Sequence, residues 1–543
     1  MSWLLLASLV ISTAAALILV PLVREIAVRI GMIDKPDLQR KLHTKPIALG
    51  GGLAVFAALL VGFGTTMLID HHFAHSTLEP FLGRWKTLFA AAAAILVVGL
   101  VDDRWALRGR QKLLLQCLIV AIVVGRGTVI TQLSVLGYEF QLGHLEFPVT
   151  MLWLLVAINA LNLIDGADGM ATTVGCIICA GLGILSCRSG VSLNGVICFA
   201  LSGALLGFLA YNRPPASIFL GDAGSMMIGF FVGVLAIWSS VKESTILASA
   251  PVAILAIPLF DSSAAILRRW LTGRSIYATD RAHLHHLLQS KFGSRGMLVV
   301  VAALCLITTA LSVVSTYYDL PWLAAIGVLF VLGLLVVTRS FGYAEFRLVA
   351  SRVYNFSRSF STPVAQCDTK KLQRRHLLQG TGAWETIWEP LVEFARSHEL
   401  ASIKIDLNLA WIHEGYHASW QSVRLPEKAN QLTMCVPLFT RQTVDGSELP
   451  IGKLDIIASA SAPEIYTRIA EFVEHLAELN PQIDWVIEQL EQQPKRKPAA
   501  FPWPRQKAEV TLAEKPNGAA PSSEWAKVSA KLSSDSEASY KLK

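Results

Sequence analysis

Eleven apolar stretches fill the first two-thirds of this chain, near residues 3–23, 48–69, 86–101, 113–130, 147–163, 171–187, 193–211, 217–238, 245–267, 297–316 and 320–338. A helix needs about 20 apolar residues to cross a bilayer, and somewhat fewer where the bilayer thins or polar ends reach the interface. Composition agrees: only 16% of the 543 residues are charged, against about 25% in soluble proteins, and the mean hydropathy is +0.49. The last third is ordinary in polarity. The expected fold is therefore a polytopic α-helical membrane protein with about 11 transmembrane helices, followed by a soluble domain. No basic segment precedes the first stretch, which continues to about Val23, so it reads as a first span and not a cleaved signal peptide. The eight cysteines are scattered, and Cys176 and Cys179 lie inside an apolar run. Neither a disulfide framework nor a zinc site is expected.

The distribution of Lys and Arg sets the orientation. The loops containing Arg24–Lys45, Arg104–Lys112, Arg213 and Arg268–Arg295 hold seventeen of them, and the opposite loops hold five. The first set is therefore expected in the cytoplasm. The N-terminus is then outside, and an odd number of spans leaves the C-terminus in the cytoplasm. The outer loop at 131–146 alternates as a short hairpin would. His71, His72 and His75 are the right type to bind a metal, but they read as a solvated outer loop.

The unusual polar groups fall at the inner ends of these stretches. Asn159, Asn162, Asp165 and Asp168 recur every three residues, so neighbouring pairs share a helix face, and Gly166 and Gly169 break the helix there. A polar loop with turn glycines is the plain alternative. It does not explain amides inside the preceding apolar run, since polar groups at membrane depth are costly and line cavities. Asp102 and Asp103 end the third span, followed by Arg104 and Lys112. Two adjacent carboxylates are not comfortably buried and ionised without a cation, and Mg²⁺ takes one or two carboxylates plus phosphate oxygens. A simple charged boundary is the alternative, although carboxylates at a helix C-terminus oppose its dipole.

Gly221-Asp222-Ala-Gly-Ser225 opens the eighth span, after Phe219. Backbone N–H groups at a helix start favour anions, so Asp222 suits a metal that bridges phosphates, or else a plain N-cap. Phe219 suits stacking on a base, or is one more membrane aromatic. Asp261 lies near the inner end of the ninth span, and Arg281, His283, His285 and His286 follow in the next loop. Arg and His donors match phosphate oxygens. Zinc binding or a surface histidine cluster are the other readings. The first inner loop carries Lys35, Asp37, Arg40, Lys41, His43 and Lys45, then Gly50, Gly51 and Gly52. Its cations suit lipid headgroups or a phosphate, and its glycines suit close helix packing.

In this order, these stretches resemble the polyprenyl-phosphate N-acetylhexosamine-1-phosphate transferases, the family that includes phospho-MurNAc-pentapeptide translocase. The resemblance covers about residues 1–340, and Asp280-Arg-Ala-His-Leu-His-His is similar to the UDP-GlcNAc branch. It implies that an undecaprenyl phosphate oxygen attacks the β-phosphorus of a UDP-N-acetylhexosamine and UMP leaves, at the cytoplasmic face of a bacterial inner membrane. That reaction begins cell-surface glycan synthesis, such as O-antigen or teichoic acid. By the same resemblance, Asp102 and Asp103 orient or deprotonate the lipid phosphate. Asp222 binds Mg²⁺ (or Mn²⁺) with Asn162 near it, and Asp165 and Asp168 hold the nucleotide sugar or shape the metal site. Lys112, Asn159, Arg281, His283, His285 and His286 serve the substrates, and Phe219 the uracil. Such phosphoryl transfer rests on positioning and charge stabilisation.

Residues 384–399 and 463–490 read as helices and 402–408, 415–424, 431–438 and 451–459 as strands, giving a cytoplasmic α+β domain over 341–490. It carries no catalytic motif; regulation, recruitment of a protein partner and simple stabilisation all fit it. From 491 the chain is rich in Pro, Ser, Lys, Ala and Glu and reads as a disordered tail. A homodimer is a further expectation, and nothing points to nucleic acid. The competing readings are a sibling transferase for another UDP-sugar or UDP-MurNAc-pentapeptide, and an ion-coupled transporter. The transporter predicts acids at mid-membrane and related halves; here the acids cluster at one face.

Overall fold

The structure is a computed structural model that describes residues 2–34, 46–73, 82–135, 138–187, 193–240, 249–272, 283–343, 373–379, 382–409, 414–422, 425–440, 449–462 and 464–492, with parts of 345–357. The basic residues Lys35 to Lys45, His75 and Arg281 lie outside the described residues. So does the expected tail, apart from Glu491 and Gln492, which complete a helix. The chain divides into two compact units, one running to Val353 and one beginning at Tyr354.

The first unit is helical: α1 (Ser2–Arg29), α2 (Gly51–Phe73), α3 (Leu82–Trp105), α4 (Gly109–Gly125), α5 (Glu146–Leu163), α6 (Met170–Ser186), α7 (Leu193–Asn212), α8 (Gly221–Ser240), α9 (Ser249–Ile254), α10 (Ala256–Thr272), α11 (Leu284–Tyr317) and α12 (Pro321–Val337). Among the described residues, seven helices are long and apolar enough to cross a membrane: α1, α2, α3, α5 with its preceding turn, α7, α8 and α11. α6 and α12 are apolar but shorter. The unit is thus a multi-pass membrane protein.

α8 is the most enclosed of the seven. Met226, Met227, Phe230, Phe231, Val234 and Leu235 are all buried, as expected of a helix that is apolar all round. α3 and α5 run along it, and α2 and α6 also touch it. Gly52 of α2 and Gly99 of α3 abut the backbone of Ala223 and Gly224; small residues let helices approach this closely. The first turn of α8 is thereby fixed where α2 and α3 converge.

Three expected spans differ in detail. The 217–238 stretch begins as extended chain, because Phe219 N–H donates to Ala48 O while its carbonyl accepts from Gly51 N–H; the helix starts at Gly221. The 245–267 stretch breaks into α9 and α10 around Leu255. Pro258 has no N–H and its ring opposes the carbonyl of Ile254, so the helix cannot run through. α11 is one run with a non-helical Gly293 (φ 70°, ψ 172°) inside it, and it begins well before the expected 297. The hairpin expected at 131–146 forms, with β3 (Gln132–Val135) antiparallel to β4 (Tyr138–Gln141). A smaller pair, β1 (Ile33–Asp34) and β2 (Ile47–Ala48), forms between α1 and α2. α2 runs on through His71 and His72, which are exposed, where a loop was expected.

The second unit is a five-stranded antiparallel sheet with helices. Its strands are β5 (Gln373–Gln379), β6 (Ser402–Leu409), β7 (Glu414–Gln421), β8 (Gln431–Thr440) and β9 (Leu449–Ser459), in the order β5-β7-β6-β9-β8. α13 (Glu385–Ser397), α14 (Ile465–Glu478) and α15 (Asn480–Gln492) complete it. Ile403, Ile405, Leu407 and Leu409 alternate into a core with Trp388, Leu391 and Phe472, the period-2 burial of a sheet covered on one face. β5 was not legible as a strand in the sequence, since Gln373-Arg-Arg-His-Leu-Leu-Gln379 lacks alternation. The expected helix at 463–490 is two, because Pro481 fits only the first turn of a new helix.

Candidate active site

α3 runs four residues past the expected end of its span, so Asp102 and Asp103 occupy its last turn. Each carboxylate is answered by another element. Asp103 accepts hydrogen bonds from Asp222 N–H (2.8 Å to Oδ1) and Ala223 N–H (3.3 Å to Oδ2). It therefore caps α8 from across the bundle, at the positive end of that helix. Gly221 has φ +74°, and a Cβ there would lie 2.5 Å from Asp103 Oδ2; the backbone conformation and the close approach both demand glycine. Asp102 accepts from Leu107 N–H at 2.7 Å and pairs with Lys112 Nζ at 2.8 Å.

Lys112 joins four helices. From the first turn of α4 its Nζ also reaches Asp222 Oδ2 of α8 at 2.7 Å and Asn162 Oδ1 of α5 at 3.1 Å. Asn162 Nδ2 donates to Asp222 Oδ1 (2.6 Å) and Ser225 Oγ (3.0 Å). The expected neighbours Asn162 and Asp222 are thus in direct contact. Asn159 sits one turn deeper, where Nδ2 donates to Gln116 Oε1 at 2.9 Å, and Gln116 Nε2 donates to Met226 Sδ at 3.0 Å. Asn159 supports the cluster from below. Gln116 was not singled out in the sequence, although its place four residues after Lys112 puts it on the same helix face.

The turn from Ile164 to Gly169 brings two more carboxylates. Asp168 Oδ2 accepts from Ala216 N–H at 2.9 Å, fastening the connection between α7 and α8. Asp165 makes no side-chain hydrogen bond to any described residue. Burial, and then the carboxylates of Asp222, Asp103 and Asp168, push its carboxyl well above the usual value. A Cβ on Gly166 would lie 2.5 Å from His285 Nε2, so the absence of a side chain lets the imidazole rest against this turn.

The histidines were expected in a loop. Instead His283 immediately precedes α11, and His285 and His286 lie in its first turn. Asp261, fully buried on α10, sets this start: Oδ2 lies 3.0 Å from His283 Nδ1 and Oδ1 accepts from Leu284 N–H at 2.8 Å. The His283 and His285 rings stack at 5.8 Å, and those of His285 and His286 are 4.2 Å apart. Phe219 is half-buried, and its backbone is held by Ala48 and Gly51.

Asp102 and Asp222 thus share one ammonium, and the carboxylates of Asp103 and Asp165 lie close enough to Asp222 to repel it. Like charges confined in this way favour a further cation. Among the described residues no three His, Cys, Asp or Glu side chains form a closed metal cage. Mg²⁺ needs none, since it keeps waters and takes phosphate oxygens beside one or two carboxylates. The carboxyl of Asp165, without a hydrogen-bond partner among the described residues, and that of Asp222, held by nitrogen donors, fit such an open site.

Residues 85–240 match the family model for glycosyl transferase family 4. The chain is 31% identical over 331 residues to a probable undecaprenyl-phosphate N-acetylglucosaminyl 1-phosphate transferase of Bacillus subtilis (strain 168), covering 60% of this chain and 88% of that protein. It is 31% identical over 306 residues to the undecaprenyl-phosphate alpha-N-acetylglucosaminyl 1-phosphate transferase of Escherichia coli (strain K12), covering 54% and 79%. The protein of the same name from Yersinia pestis is 32% identical over 306 residues, covering 54% and 79%.

Proposed function

This chain belongs to the polyprenyl-phosphate N-acetylhexosamine-1-phosphate transferase family, and from that premise we propose that it transfers GlcNAc-1-phosphate from UDP-GlcNAc to undecaprenyl phosphate, releasing UMP. The observation that carries the reading is the junction of α3, α4, α5 and α8 through Lys112, beside the carboxyl of Asp165, which has no hydrogen-bond partner among the described residues.

The reaction forms a bond from a lipid-phosphate oxygen to the β-phosphorus and breaks the bond from that phosphorus to the oxygen bridging to UMP. Little covalent chemistry falls to the protein; it must hold two anions together and offset their charge. Lys112 places a positive charge at the cluster's centre. Asp102, tied to Lys112 and to the Leu107 amide, is placed to orient the lipid phosphate or accept its proton. Asp103 has both oxygens on α8 amides and so acts by positioning Asp222. Asp165 and Asp222 would hold Mg²⁺, with Asn162 and Ser225 fixing the Asp222 carboxylate. When bound, the ion would neutralise phosphate oxygens and favour departure of UMP. His285, against the Gly166 turn, and His286 beside it are the candidate donors to the nucleotide phosphates, with Arg281 as a further candidate and Phe219 as the candidate for the uracil. Asp168 keeps the α7–α8 connection in place around them.

In the membrane, we place eleven spans with the N-terminus outside, counting α9 with α10 as one crossing and α4, α6 and α12 as short crossings. The excess of Lys and Arg on one side supports a cytoplasmic active site and second unit, in a bacterial inner membrane. Incubating the purified chain with undecaprenyl phosphate, Mg²⁺ and a panel of UDP-sugars tests the reading by UMP release and lipid-linked product. Turnover is expected with UDP-GlcNAc. Asp222→Asn is expected to lower it by about a thousandfold, the scale of losing one principal electrostatic group. Turnover with another UDP-sugar alone would reassign the donor, and none with any would remove the reading.

A further inference from the structure

The segment just after α12 is not a plain exit from the membrane unit. It folds back onto both helices that hold the histidines. Phe341, buried, meets Phe260 edge to face with ring centroids 5.3 Å apart, and Phe260 adjoins Asp261. Glu345 pairs with Arg268, two turns further along α10, and both side chains are buried. On the other side, Lys291 Nζ donates to Arg339 O at 3.0 Å and lies 3.4 Å from Ser340 Oγ. Lys291 belongs to the part of α11 that precedes the non-helical Gly293.

That break matters. With Gly293 at φ 70° the histidine-bearing first part of α11 is not a rigid continuation of the membrane helix. Its placement depends on what grips its ends. Asp261 grips the beginning through His283 and Leu284, and the Lys291 contacts grip the end. Both grips meet in the residues after α12, because Arg339 and Ser340 receive Lys291 while Phe341 and Glu345 hold α10 through Phe260 and Arg268. Burying the Arg268–Glu345 pair is a poor way to gain stability, since apolar residues of like volume would do as well; it does fix one register between α10 and this segment.

We propose that residues 339–343 with Glu345 form a positioning clasp for the transferase, in which Phe341, Glu345 and the Lys291 contacts hold α10 against the first part of α11 and so keep His285 seated on the Gly166 turn. The inference rests on the transferase reading given above, but its structural half does not. None of the clasp residues touches substrate; they act through Asp261, His283 and the placement of α11.

The test uses the full chain in nanodiscs, with Glu345→Gln, the exchanged pair Arg268→Glu with Glu345→Arg, and the exposed Lys291→Met, which leaves no buried charge behind. Turnover is measured against both substrates, and carbethoxylation of the His283–His286 peptide is followed by mass spectrometry. Glu345→Gln and Lys291→Met are expected to lower kcat about tenfold with KM for undecaprenyl phosphate within about twofold, as displacement remote from the chemistry does. The histidine peptide is expected to react several times faster in both, roughly in step with kcat. The exchanged pair is expected to restore both readouts to within about threefold. Variants with lowered melting points but wild-type kcat and histidine reactivity, measured where all are folded, would overturn the clasp. So would a loss of kcat that leaves histidine reactivity unchanged. Should Glu345→Gln not fold, Lys291→Met carries the same comparison. If the wild-type chain turned over no UDP-sugar, the transferase reading would fail while histidine reactivity still decided the clasp.

Discussion

At the scale of single residues, the four clustered aspartates are not equivalent, although the sequence presents them alike. Asp103 spends both oxygens on the amides of α8, and the carboxyl of Asp165 has no hydrogen-bond partner among the described residues. Their asparagine variants should therefore diverge. An amide at 103 keeps one acceptor oxygen, so Asp103→Asn should fold with a loss of about 1 kcal/mol, the scale of a cap, and retain part of its turnover. Asp165→Asn should abolish turnover yet melt higher in EDTA. The sign follows from linkage: the folded chain holds the Asp165 proton more tightly than the unfolded chain, whose value is 3.8. Stability from this group is complete below that value and is lost as pH rises through the folded one. The wild-type midpoint in EDTA should fall across that window, and the variant's should fall less, by a few degrees (about 2–4 °C per kcal/mol). Differential scanning fluorimetry with and without Mg²⁺ checks both, and Mg²⁺ should raise the wild type more than the variant.

At the scale of elements, the site is a meeting of helix ends. α3 contributes its C-terminal turn, α8 and α11 their N-terminal turns, and α5 the turn that follows it. Carboxylates at the end of α3 would be unfavourable alone; the start of α8 and Lys112 of α4 offset them. The break in α11 is the one place where a long helix yields to the site. Gly293→Ala would put a side chain on a backbone at φ 70°, a strain of about 1–3 kcal/mol. The expected outcome is a lower melting point together with reduced kcat, measured by scanning fluorimetry and UMP release. An unchanged kcat would separate the break from the placement of the histidines.

At the scale of the whole molecule, the membrane unit buries its most enclosed helix, α8, at the centre and gathers its acids at one face. Orientation then decides which substrates reach them. Cysteine placed at Arg110, in a chain without its native cysteines, should react with an impermeant maleimide only after the membrane is opened. Cysteine at Glu146, at the start of α5, should react in intact cells. The reverse pattern would put the site on the wrong side for a nucleotide sugar made in the cytoplasm. The second unit has its own core around Trp388, Ile405 and Phe472 and is built from alternating strands and amphipathic helices.

The features readable before any fold was known follow from short-range physics. Bilayer thickness and obligatory backbone pairing make each long apolar run a helix, so the runs, the hairpin at 132–141 and four of the five sheet strands were legible. So were the polar residues at membrane depth, because their cost demands a use. Only the tertiary structure decided how those residues divide the work. Asp102 and Asp103 are neighbours in sequence, but one faces Lys112 and the other faces the amides of α8. Asn159 and Asn162 share a face, but one meets Gln116 and the other Asp222. Except for Lys112 at Asp102, partners 40 to 120 residues away made those choices, and no local pattern records which distant donor a carboxylate will meet. The return of residues 339–343 with Glu345 onto α10 and α11 was illegible for the same reason: Phe341 and Glu345 become informative only when Phe260 and Arg268 are beside them.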